Sequence, residues 1–214
     1  GPHCVWQYVG GCRRGSEGTV MKIRIEQDDN YDSPRDWDNL GVMVCFHSRY
    51  NLGDKHEYRD SDYSGWDEME AAIQKEEDAA VILPLYLYDH SGITMNTEGF
   101  HCPWDSGQVG FIFVSRAKVL EEWSKKRISK KLLAKVEEVL RQEVTTYDQY
   151  LTGDVWGYVI EDDDVEHIES CWGFYGREYC EKEAQDMVDY LKKQEEEETA
   201  ERKRVQAAMP CCLP

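Results

Sequence analysis

The sequence is short of positive charge. Against 43 Asp and Glu it carries only 25 Lys and Arg, a formal net charge of −18 over 214 residues. A protein that grips nucleic-acid backbone needs a basic surface to displace counterions, so direct nucleic-acid binding is not expected, whereas a basic partner is permitted. Long apolar runs are also missing. Nothing approaches the roughly 20 residues that span a bilayer, so no membrane partner is expected. The eight cysteines (Cys4, Cys12, Cys45, Cys102, Cys171, Cys180, Cys211 and Cys212) form no CxxC pair. A secreted disulfide scaffold would be shorter and denser in Cys, which favours reduced thiols in a cytoplasm. The terminal CCLP has the outline of a prenylation box, but Pro is an unusual last residue there. The phosphate-cradling patterns GxxxxGKS and GxGxxG are absent, as are the GxSxG elbow and any internal repeat.

What is present suffices for a core. Hydrophobic residues make up 41% and aromatics 12%, including 7 Trp and 13 Tyr. That is too apolar for a disordered chain, and the length fits one substantial domain or one with an appendage.

Residues 1–20 have no clean period. From Met21, apolar Met21, Ile23 and Ile25 alternate with polar Lys22, Arg24 and Glu26, the pattern of a half-buried strand. Ser16-Glu17-Gly18 can be encoded by purine-rich codons of the kind found in a bacterial ribosome-binding site. The expectation is that Met21 is the natural start and that 1–20 is a non-native or disordered extension; the competing reading is a genuine strand, WQYV.

Further along, Leu40–Phe46 is a continuous apolar run, read as a central strand buried on both faces. Trp66, Met69 and Ile73 recur at helical spacing. Ala79–Tyr88 reads as a strand that Pro84 places at an edge or a bulge, and Gly107–Ser115 as another. Ile128 to Val144 holds a helical apolar stripe, with Ser129 as N-cap and Gly153 as stop. DVWGYVIE and VEHIESCWGFYG form a hairpin around Asp162-Asp163-Asp164, with Trp172 and Phe174 expected on one core-facing side. A last helix from Glu178 loses its stripe after Gln194. The expected architecture is α+β: a single mostly antiparallel sheet with helices packed on one side and a C-terminal helical extension. Residues 21–193 are read as one domain and 194–214 as a charged tail.

Two polar knots follow apolar strands, FHSRYNLGDKH at 46–56 and DHSGITMNTEGFHCPWDSGQ at 89–108. Loops at strand ends are where sites collect. The strings SPRDWDNLGVMVCFHSRYNLGD, LPLYLYDHSGITMNTEGFHCPWDSGQVGFIFVS and SCWGFYG resemble a family of small acidic proteins encoded by bacteriophages and prophages, from about Met21 to about Lys192. The resemblance implies a mobile-element product in the cytoplasm of a bacterial host; it brings no activity and no catalytic residue.

Several chemistries are written in the knots. His47, His56, Asp89, His90, His101, Cys102 and Asp105 are acceptable zinc-ligand types, but no pair has ligand spacing on one element, so neither a metal nor another cofactor is expected. Cys45 with His47, oriented by Asn51 or Asp54, would make a nucleophile, against the plainer reading of a buried structural Cys. Ser91 and Ser106 sit in ordinary Asp/Gly turns. Carboxylate pairs among Asp36, Asp38, Asp54, Asp89 and Asp105 carry little weight in so acidic a chain. Arg35 and Arg49 could hold a phosphate while Trp37, Tyr50 or Trp104 stacks a base. Finally, residues 116–141 hold nine basic side chains against four acidic ones, a basic island read as lying against the protein's own carboxylates.

The reading these residues favour is a non-enzymatic effector that binds a host protein or a small signalling nucleotide, with a possible anti-defence role in which rows of carboxylates imitate nucleic-acid phosphates. Its candidate binding residues are Arg35, Trp37, His47, Arg49, Tyr50, Asn51, Asp54, Asp89, His90, Trp104 and Asp105. The rival is a hydrolase of a nucleotide or phosphoester using His47, His56, Asp89 and His90, which requires those side chains to converge. His47 and Arg49 are expected on one side of the emerging strand and Ser48 and Tyr50 on the other. If there is a site, His47 and Arg49 converge there with Asp89 and His90; if the loops are only scaffold, Asp54 caps backbone amides and Arg49 pairs with Asp36 or Asp38.

Overall fold

The structure is a computed structural model that describes residues 20–208. The expectations about residues 1–19 and about the CCLP terminus lie outside the described residues. In chain order the elements are β1 (Lys22–Gln27), β2 (Val42–Cys45), α1 (Trp66–Glu76), β3 (Ala79–Asp89), β4 (Ile93–Asn96), β5 (Ser106–Ser115), α2 (Arg116–Glu122), α3 (Lys130–Thr152), β6 (Val155–Glu161), β7 (His167–Tyr175) and α4 (Arg177–Ala208). The class is α+β. The strands form two antiparallel sheets where one was expected, and the chain divides into two compact units.

The unit of residues 32–154 is built on a four-stranded sheet in the order β2-β5-β3-β4. The run before Phe46, expected as a central strand, is β2 at the edge of this sheet; Met43 and Val44 are buried but Val42 is exposed. β5 shows why its sequence is apolar at nearly every position. Ile112 and Val114 point to one face and pack with Leu83, Leu85 and the α3 residues Val136, Leu140, Val144 and Tyr147. Phe111 and Phe113 point to the other and pack with Val44 and the α1 residues Met69 and Ile73. Helices therefore cover both faces of this sheet, which corrects the expected one-sided arrangement; a strand buried on both sides needs a cover on each. Pro84 lies in a stretch of β3 that pairs with β5 alone, because β4 reaches only Tyr86–Asp89, and a register shift follows at Leu85/Tyr86. That satisfies the proline's need for a position with one ladder neighbour. α3 starts at Ser129, whose Oγ accepts from the Leu132 N–H at 3.2 Å, and stops at Gly153 in the left-handed conformation.

The second unit, residues 20–31 with 155–208, has the sheet β1-β6-β7. Ile23, Ile25, Tyr158, Ile160, Cys171 and Phe174 face Cys180, Ala184 and Val188 of α4. The expected hairpin is present. Its turn is tied by buried Asp162, whose carboxylate accepts from the N–H groups of Asp164 and Glu166 at 3.0 and 2.9 Å. Phe174 is core at 4% exposure, but Trp172 is 39% exposed, a correction to the expectation that they share a face. Trp156 pairs with Phe174 and Tyr158 with Cys171, so two residues of β7 oppose one of β6. Gly173, at φ +81°, takes up this bulge and resets the alternation. Trp172 consequently lies across Gly157 on the opposite face. Past Leu191 the residues of α4 are almost all exposed, and i,i+4 pairs such as Lys193–Glu197 and Glu198–Arg202 line the helix. No helix among the described residues is long and apolar enough to cross a membrane.

Candidate functional site

The first polar knot is a loop closed back onto β2. The Phe46 N–H donates to the Val109 carbonyl at 2.7 Å as the strand ends, and the Asp54 N–H returns to the Met43 carbonyl at 2.8 Å. Gly53 allows this return. Its φ is +70°, and a Cβ there would sit 2.6 Å from the Met43 oxygen. Buried Leu52 pins the loop from below, so residues 47–50 are held outward. The second knot leaves β3 at Asp89, whose N–H donates to the Asp105 carbonyl at 2.8 Å, joining the two ends of that knot.

Asp89 is the meeting point. Arg49 forms an ion pair with Asp89 Oδ2, and His47 Nε2 lies 3.8 Å from the same oxygen. His47 Nδ1 accepts from the backbone N–H groups of Arg49 and Tyr50, both at 3.2 Å. Its proton is therefore on Nε2, facing the carboxylate, and its lone pair is already used. His47 and Arg49 share a side, as expected, but Tyr50 does not alternate away from them, because β2 ends at Cys45. Tyr50 turns back to stack on His47 with ring centroids 4.9 Å apart, and the Arg49 guanidinium sits 5.4 Å over the Tyr50 ring. Nearby, Asp105 Oδ2 lies 3.6 Å from His90 Nδ1 and 3.7 Å from Cys102 Sγ, and Tyr88 contacts both His90 and Phe100. Trp104, next to Asp105, is 92% exposed.

Arg35 and Asp54 belong elsewhere. The Arg35 side chain, 5% exposed, donates to both oxygens of Asp54 at 2.8 and 2.6 Å, to Glu143 at 3.1 Å and to the Gly41 carbonyl at 2.7 Å. Glu143 in turn accepts from the Leu40 N–H at 2.7 Å, and Asp54 from the Met43 N–H at 2.7 Å. Burial lowers the Arg35 pKa, but its hydrogen bonds and attraction to Asp54 and Glu143 outweigh that and hold it above the ordinary arginine value. This is a saturated internal knot joining residues 33–43, the loop of residues 46–54 and α3. It corrects one expectation, since Arg35 does not offer itself to a phosphate. Of the two partners open to Arg49, Asp89 holds it rather than Asp36 or Asp38, while Asp54 does cap a backbone amide. Glu143 and Tyr147, whose hydroxyl accepts from the Gly53 N–H at 2.9 Å, escaped the sequence reading, since nothing local marks a partner some ninety or more positions away.

The remaining candidates disperse. His56 donates from Nε2 to the Cys45 carbonyl at 3.1 Å, its Nδ1 is buried without a partner, and it packs edge-on against Phe46. It does not join His47 at Asp89. Cys45 is buried, as the plainer reading has it, and burial with the nearby Asp54 charge pushes its thiol up to about 12, so the alternative of a Cys45–His47 nucleophile has no thiolate at neutral pH. Asn51 is exposed and Trp37 half-buried beside the Pro34–Asp36 turn. Among the described residues, no group of three or more His, Cys, Asp or Glu is placed to hold a metal ion. Comparisons with protein-family models, with curated proteins and with solved structures returned no match.

Proposed function

We propose that this chain is a non-enzymatic effector, encoded by a bacteriophage or other mobile element, that acts in the bacterial cytoplasm by binding a host protein through the surface around Asp89. The observation that carries this reading is the engagement of the groups at its centre. The His47 lone pair is spent on two backbone amides, Arg49 neutralises Asp89, and the Cys45 thiol stays protonated. A general base needs a free lone pair within reach of its substrate, and His47 offers none. Around this quenched centre stand exposed aromatics, Trp104 and Tyr50, with Arg49 beside them. Trp, Tyr and Arg are the residues that dominate protein-binding hot spots.

The test is affinity capture from bacterial extracts with the full chain and with a Trp104→Ala, Tyr50→Ala variant. The expected result is a host protein retained by the wild type and lost from the variant at an unchanged melting temperature. Turnover of a nucleotide or phosphoester by the wild type, abolished by His47→Ala, would establish the hydrolase instead. Specific stabilisation by a signalling nucleotide would move the ligand from a protein to a small molecule.

A further inference from the structure

The basic island of residues 116–141 divides in two. Arg116 pairs with Asp78 at 3.4 Å, Arg141 with Glu137 at 2.8 Å, Lys118 donates to the Asn39 carbonyl, and Lys135 lies 5.6 Å over the Trp123 ring. These four are absorbed by the fold. Lys125, Lys126, Arg127, Lys130 and Lys131 are all exposed, and none makes an ion pair among the described residues. On a chain of net charge −18, five unneutralised cations in seven positions are a local reversal of sign. The expectation that the protein's own carboxylates cover this island fails for these five.

The way α3 begins adds to the contrast. Its first turn holds no acidic residue, and its first two positions are Lys130 and Lys131, where the helix dipole favours the opposite charge. Both lysines cost the helix a little in isolation and gain only when an anion lies over them. The island is also fenced. Glu121 and Glu122 precede it, and Glu137 and Glu138 follow on α3. Lys130 and Glu137 are seven residues apart, about 10 Å along a helix at 1.5 Å per residue. An extended peptide advances about 3.3–3.6 Å per residue, so three or four acidic residues fit between the fences. A nucleic-acid duplex carries a charge every 1.7 Å or so of axis without interruption and would run onto the flanking glutamates.

From this we infer that the surface formed by Lys125, Lys126, Arg127, Lys130 and Lys131 is a docking site for a short acidic segment of a partner polypeptide. It is independent of the surface around Asp89, and neither reading depends on the other. Engagement is electrostatic and falls with ionic strength, because exposed charges are screened beyond about 8 Å at physiological salt.

The test uses a fluorescein-labelled peptide of four glutamates flanked by glycine and serine, and anisotropy with the full chain at low salt. Wild type is expected to bind it, to lose about tenfold or more in affinity on raising salt from 50 to 200 mM, and to ignore the same peptide with glutamine at those four positions. The variant Lys125→Gln, Lys126→Gln, Arg127→Gln, Lys130→Gln, Lys131→Gln is expected to keep its melting temperature and lose binding. No binding by wild type at 20 mM salt, or equal binding by the quintuple variant, overturns the inference. So does a 20-base-pair duplex that binds at least as tightly as the peptide. If the quintuple variant unfolds, the pair Lys125→Gln, Lys126→Gln, which lies outside any helix, serves in its place and is expected to weaken binding severalfold.

Discussion

Two arginines fourteen positions apart meet acids in opposite ways. Arg35 is 5% exposed and spends its guanidinium on Asp54, Glu143 and a carbonyl; Arg49 is 64% exposed and spends its own on Asp89. Both are arginine–carboxylate knots drawn from one polar region of the sequence. The difference lies in what the carboxylates do besides. Asp54 and Glu143 also accept backbone N–H groups of residues 40–43, so the buried knot holds the entry to β2 in place. Asp89 sits at the protein's rim beside stacked and exposed aromatics. Saturation inside marks scaffold; the exposed Arg49–Asp89 pair beside Tyr50 is what the proposed function assigns to a partner.

The largest expected effect breaks the buried knot. Arg35→Ala leaves two carboxylates without their cation inside the protein, which typically costs about 3–5 kcal/mol. Arg49→Ala removes an exposed pair and is expected to cost about 1 kcal/mol or less. Urea denaturation of both variants checks the contrast, and equal losses would erase it. In the other unit, Phe174→Ala is expected to cost about 3–5 kcal/mol and Trp172→Ala clearly less, because the bulge at Gly173 turns only Phe174 inward.

An alkaline titration gives a third, smaller signal. The Cys45 thiol is raised by burial from 9.0 to about 12, and the Tyr147 hydroxyl, also by burial, from 10.0 to about 12. Each folded value exceeds the unfolded one, so the folded state holds its protons longer. The stability they confer is complete below about pH 9 and falls as pH rises toward 12. Melting temperature against pH, compared in wild type and Cys45→Ala, should show a shallower alkaline decline in the variant. The smallest effect is expected at the tail: deleting residues 195–214 should leave melting almost unchanged, since α4 buries nothing in its cluster past Leu191. A large calorimetric loss would show that the tail contributes to the fold.

Much of this architecture is legible in the sequence wherever the information is local. The alternation of Met21–Glu26, the apolar run before Phe46, the Ser129 cap, the Gly153 stop and the turn at Asp162 all appear as strands, helix ends and hairpin where residue patterns place them. β4 was hidden because Ile93–Asn96 is four residues long inside a polar stretch. The exposure of Trp172 turned on one glycine, whose presence in SCWGFYG was a signal of a bulge left unused. Around the candidate site, the meeting of His47 and Arg49 with Asp89 followed from both loops leaving neighbouring parts of one sheet. The capture of Arg35 by Glu143 did not, because loop closure over some hundred residues leaves no local trace. His56 left the group for a similar reason: its partner is a backbone carbonyl, which no side-chain pattern announces.

The most direct test of the account is a His47→Ala, Arg49→Ala double variant, examined by urea denaturation and by capture of the host protein that the wild type retains. The account predicts loss of capture with a stability change of no more than about 1–2 kcal/mol, the range for exposed pairs and a partly exposed loop cap. A cooperative loss comparable with that of Arg35→Ala, or capture undiminished in a stable double variant, would contradict it.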